Sequence, residues 1–168
     1  EALPIETNDE GKENLFAGRC DVYTTDASGL SSTRAAAADP SKWLVLPEII
    51  SKEPLGPLVR HGDHQWGDVV RWSLNAMIIA EELGVTSENV DASLSSNVPE
   101  VLRLLGVEGS YGEMLELAPD WAYQIIKQIG NYSESYEANV GPDTPLEIAR
   151  GLNALWTQGG ILYAPPFR

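Results

Sequence analysis

The sequence holds one cysteine, two methionines, two phenylalanines and two histidines, and only 11 of its 168 residues are Lys or Arg. A lone Cys20 closes no internal disulfide, so the chain is not a cysteine-stapled secreted mini-domain, and its redox compartment stays open. The few basic residues stand against 25 Asp and Glu, a net charge of -14. Nucleic acid and anionic membrane both need a basic face, so neither is an expected partner. Such charge serves as a solvated acidic surface or as a cleft that attracts cationic ligands. No stretch reaches the roughly 18 consecutive apolar residues of a membrane helix. GxSxG, a phosphate-cradling Gly-rich loop and zinc-type Cys/His spacing are missing too, so no motif nominates an enzyme, a cofactor or a metal. Residue 1 is Glu without a charged-then-apolar leader, so any signal peptide is expected to be removed or to lie outside these residues. An internal start fits equally.

What is present is globular: 43% of residues are apolar and 21% charged, in a chain long enough for one ordinary domain or two small lobes. Residues 1–61 read as α/β. ALPIE (Ala2 to Glu6) is a short apolar run, and Asn8 or Asp9 can cap a helix through Leu15 and Phe16 with Gly18 at its C-terminal end. DVYTT then reads as a strand. A second helix is expected from Ala27 to Ala38, stopping before Pro40, and WLVLP and LGPLV follow as strands. This alternation predicts a mainly parallel sheet.

Residues 62–168 read as helical. From Gln65 to Leu83 the apolar residues follow helical spacing on one face, and Trp72, Leu74, Ile78 and Ile79 make the opposite flank apolar too. Such a helix needs cover on a broad face. Further helices are expected near Pro99 to Leu105, Asp120 to Ile129 and Pro145 to Thr157. The last has Thr144 as cap, Pro145 at its first position and Glu147 to close a capping box. Val107 to Pro119 and Ile161 to Arg168 read as loops or as a tail packed on the helices.

Asp26 ends the DVYTT segment and opens the next helix, the position where ligands gather in open α/β sheets. Its carboxylate can accept charge-assisted hydrogen bonds from an ammonium group or merely cap the helix. Thr24, Thr25 and Ser28 add hydroxyls nearby. RHGDH (Arg60 to His64) brings two imidazoles and a carboxylate together, but its Gly and the helix start behind it favour a hydrophilic turn over a metal site. Glu48 and Glu53, with Lys52, could do acid-base work, but the sequence places no nucleophile beside them.

GRCDVYTTDASGL (Gly18 to Leu30), LPEIISKEPLGPLVR (Leu46 to Arg60), AEELGVTSENVD (Ala80 to Asp91), DWAYQIIKQIGNY (Asp120 to Tyr132) and NVGPDTPLEIARGLNALWTQGGILYAPPFR (Asn139 to Arg168) carry a resemblance. Together, in order from about Phe16 onward, they resemble the periplasmic solute-binding component of general L-amino-acid ABC transporters, of the polar-amino-acid type. The resemblance implies a two-lobed type II periplasmic binding fold that closes on an amino acid. Here it implies a partial form: an incomplete second lobe with a mainly parallel sheet over 1–61, then a helical region over 62–168 that in the family packs on the first lobe. Asp26 matches the aspartate that takes the ligand's α-ammonium group, with Thr25 and Ser28 on the same wall. Family members are about twice as long, and no residue here matches the first-lobe arginine that clamps the α-carboxylate.

The resemblance thus implies a truncated amino-acid receptor, not an enzyme, periplasmic, served by ABC permease subunits and impaired in binding alone. The uncovered helical faces predict a homo-oligomer. An assembly module or non-functional fragment is the alternative. A cyclohexadienyl-dehydratase-like enzyme on the same scaffold would need an acid such as Glu48 or Glu53 in its cleft.

Overall fold

The structure, a computed structural model, describes residues 2–167. Helix α1 (Asn8–Phe16) starts one residue earlier than the expected caps: Thr7 is the N-cap, its side-chain oxygen accepting from Glu10 N at 3.2 Å. It ends where the sequence places its end. Gly18 has φ +68°, Gly18 N donates to Leu15 O at 3.0 Å, and Arg19 N donates to Asn14 O at 2.9 Å. That bond pair is the glycine-terminated stop that a left-handed residue makes possible. Helix α2 (Ala27–Ala35) stops short of Ala38 because Asp39 turns its side chain onto Ser41 N at 3.2 Å, opening a 3-10 turn at Pro40–Lys42. The residue before a proline is pushed out of the helical region, and this sets the stop.

The expected parallel sheet is not formed among the described residues. ALPIE, DVYTT, WLVLP and LGPLV belong to no strand ladder, and the β-bridge described joins Leu155 to Leu162. A strand exists only when a neighbour accepts and donates along its edge, and here each segment lacks one. The backbone hydrogen bonds around them are local, such as Trp43 N to Pro40 O and Leu55 N to Glu53 O. Their side chains are correspondingly bare: Leu44 is 79% exposed, Leu46 60% and Leu58 98%.

The helical half finds its own cover. Helix α3 (His64–Glu82) is capped by Asp63, which accepts from Trp66 N at 3.1 Å, and buries Ala76, Ile78, Ile79 and Ala80. Between it and the last long helices lie two single-turn helices, α4 (Val90–Ser93) and α6 (Tyr111–Met114), with α5 (Pro99–Leu104) between them. Helices α5, α7 (Trp121–Ile129) and α8 (Tyr132–Asn139) pack on α3. The expectation that these apolar faces lie open is therefore corrected: they close on one another. The buried cluster draws all its members from Ala76 to Phe167, with Leu104, Leu105 and Ile126 at its centre. In the first 61 residues Leu15 is the buried apolar side chain. The tail packs as expected, Phe167 inserting its ring beside Trp72 at 5.3 Å and Tyr111 at 5.4 Å.

Pro145 to Thr157 is not a helix. Glu147 sits at φ +51° and Gly151 at +48°, and Thr144 accepts from Leu146 N at 3.2 Å, so the capping-box residues close a turn instead. Only short 3-10 turns form, at Gly151–Asn153 and Trp156–Gln158. The capping box is instead upstream, where Asn131 and Glu134 exchange bonds at the start of α8.

Candidate functional site

Asp26 stands at the N-cap of α2 with φ -60° and ψ 154°, extended as an N-cap must be. Its two carboxylate oxygens are used unequally. Oδ1 accepts from Gly29 N at 2.8 Å and from the Ser28 hydroxyl, while Oδ2 has only a 3.4 Å approach from the Thr25 hydroxyl. The first oxygen serves the helix, and the second keeps lone pairs for another donor. The Ser28 hydroxyl, then the Gly29 amide, hold the carboxyl below its ordinary value against a small opposing effect of burial, so Asp26 is ionised at neutral pH. Asp26 and Thr25 are half-buried, whereas Thr24 and Ser28 are exposed. The structure thus brings Asp26, Thr25 and Ser28 together around one carboxylate.

Two residues of this site escaped sequence reading. Gly29 supplies the capping amide, and a Cβ there would lie 2.8 Å from Asp26 Oδ2 and 3.1 Å from Thr25 Cγ2. Its position three after the cap was a usable signal, because an N-cap bonds the second or third amide of the helix. Arg34, at the far end of α2, reaches Glu147 across 113 residues of sequence, and no local pattern announces such a pair.

The other candidates sit apart. In RHGDH, Asp63 is spent on capping α3, and His61 and His64 are exposed. Among the described residues no three His, Cys, Asp or Glu side chains converge on one point. Glu48 and Glu53 are exposed on the extended stretch, the Ser51 hydroxyl donating to Glu53 at 3.4 Å. An open depression beside Arg60 and Arg71, and another beside Val85 and Val101, leave Asp26 outside both.

The fold as a whole matches a periplasmic binding protein of an ABC transporter, from Brucella ovis with glutathione bound. The match has a TM-score of 0.91 at 49% identity and covers 98% of this chain and 52% of that one. No family model matches. Among curated proteins the chain is 55% identical over 160 residues to the glutamate/glutamine/aspartate/asparagine-binding protein BztA of Rhodobacter capsulatus, covering 95% of this chain and 47% of that protein. It is 56% identical over 154 residues to the general L-amino acid-binding periplasmic protein AapJ of Rhizobium johnstonii, covering 90% and 45%. The chain is thus similar to amino-acid-binding proteins of ABC transporters over part of their length. It spans about half the length of the curated relatives it matches. Both of these relatives are named as binding proteins.

Proposed function

We propose that this chain is the ammonium-binding half of an amino-acid receptor for an ABC importer, working in the periplasm and delivering to membrane permease subunits. The observation that carries the reading is the ionised Asp26 with Oδ2 left open beside the Thr25 hydroxyl. Every α-amino acid presents an ammonium group to such an acceptor, whatever its side chain. Glutathione, held by the Brucella ovis neighbour, carries the same α-amino-acid group at its glutamyl end. Thr25 and Ser28 complete the wall by orienting the carboxylate. Within this reading residues 1–61 are the remnant of the second lobe and residues 62–168 the region that packs toward the first.

The energetics set the strength. A charge-assisted hydrogen bond contributes about 1.5 to 3 kcal/mol net, whereas millimolar affinity takes about -4.1 kcal/mol. One wall therefore binds in the millimolar range or more weakly. The bare leucines and isoleucines between Leu44 and Val59 also need cover, and for the 168-residue chain that cover is a second copy of itself.

The discriminating experiment follows backbone amide shifts while L-glutamate, and separately glutarate, is added to the protein. Glutarate keeps both carboxylates and lacks the ammonium group. Shifts at Thr25 to Leu30 with glutamate and none with glutarate support the reading; equal shifts with both refute it.

A further inference from the structure

Residues 2–46 and residues 64–167 are joined through a long exposed stretch. Residues 47–61 between them are exposed throughout and carry no helix or strand. Among the described residues, the side-chain hydrogen bonds that tie residues 2–46 to residues 64–167 both come from Arg34. Its Nη2 donates to Leu146 O at 3.2 Å and to Glu147 Oε2 at 2.8 Å. The Arg34 side chain is 20% exposed, so the guanidinium is largely withdrawn from water at this junction.

The receiving side is built to stay still. Glu147 is held at φ +51°, a conformation that is costly for a non-glycine residue and survives only where its surroundings over-determine it. Here they do: Ile148 N donates to Val140 O at 3.0 Å, and Glu147 N donates to Thr144 O at 3.1 Å. A few residues on, the Tyr136 hydroxyl donates to Ala149 O at 3.1 Å, and Arg150 donates to both oxygens of Glu81 on α3 at 3.0 and 3.1 Å. The Glu147 carboxylate is thus presented from a loop clamped to α3 and α8. On the other side Arg34 lies on the same helix that Asp26 caps.

The geometry points to Arg34 and Glu147 as a latch that fixes the orientation of the Asp26-bearing helix on the helical body. Breaking the pair frees α2, and Asp26 with it, to swing on the exposed 47–61 connection. Arg34 is a positioning residue: it sets where the carboxylate stands without touching a ligand. The latch holds whatever Asp26 binds, so its failure and that of the amino-acid reading are separable.

The test measures a distance, not binding. Cys20 is the native cysteine of the first part, and Gln128→Cys on the exposed side of α7 supplies a second site on the helical body. Spin labels at the two positions, read by pulsed dipolar spectroscopy, report the orientation of one part on the other. The unsubstituted pair gives one narrow distance distribution. Arg34→Ala, which removes the donor, and Glu147→Lys, which sets like charges against each other, each broaden it with weight moved to longer distances while the helical circular dichroism is retained. An unchanged distribution in either folded variant overturns the latch.

Discussion

Asp26 uses its two oxygens unequally, and the donors on it show in its titration. The Ser28 and Gly29 donors stabilise the ionised form, so its carboxyl lies below the ordinary 3.8. The stability this contributes is complete above that ordinary value and is lost as pH falls through the depressed folded one. Acid unfolding followed by circular dichroism is therefore less steep in Asp26→Asn than in the unsubstituted chain. Near neutral pH the two are close, because Asn caps about as well as Asp. Asp26→Ala, which loses the cap, costs about 1 kcal/mol in a urea melt. Gly29→Ala tests the neighbouring oxygen. The added methyl sits 2.8 Å from Oδ2, so glutamate-induced shifts at Thr25 and Ser28 shrink while the helix signal stays. Sequence alone made Asp26, Thr25 and Ser28 legible, since a polar turn between an extended run and a helix is a local pattern. It could not show which oxygen is free.

Among the elements, helices proved readable where their signals were local and unreadable where distant contacts decided. Helix α3 follows its apolar spacing, and α5 and α7 fall where periodicity places them. The Thr144, Pro145 and Glu147 signature failed because its residues are claimed from elsewhere: Glu147 by Arg34, and the following loop by α3 and α8. The four apolar runs of the first 60 residues have strand composition, but pairing is not written into a single segment. The Arg150 clamp makes the point measurable. Its guanidinium is 16% exposed against a Glu81 that is 8% exposed, and it lies 5.3 Å from the Tyr132 and Tyr136 rings. Truncating one partner strands the other buried charge, so Arg150→Ala lowers the unfolding free energy by about 3 to 5 kcal/mol. Urea denaturation with a loss below 1 kcal/mol would show the pair to be effectively solvated.

For the whole molecule, the helices share a buried core, with Trp66, Met114 and Ile129 left exposed at its edges, whereas the stretch from Leu44 to Val59 contributes nothing to it. The reason to expect a partner has therefore moved from the helices, where the sequence put it, to this exposed connection. Sedimentation of the chain is expected to return a dimer mass, and charged substitutions at Ile50 and Leu58 are expected to return it to a monomer. A monomer in the unsubstituted chain would leave that apolar stretch without its proposed cover. The chain spans about half the length of its curated relatives.

The most direct measurement is the titration of L-glutamate into the protein and its Asp26→Asn variant, each followed by amide shifts of Thr25 to Leu30. Asn keeps the cap and removes the charge, so both proteins are compared folded. Saturating shifts with a dissociation constant of about 1 mM or weaker, absent from the variant, are the expected result. Equal shifts in the two proteins, no shift in either, or sub-millimolar binding by this chain would contradict the assignment of Asp26 as the ammonium wall of a divided receptor.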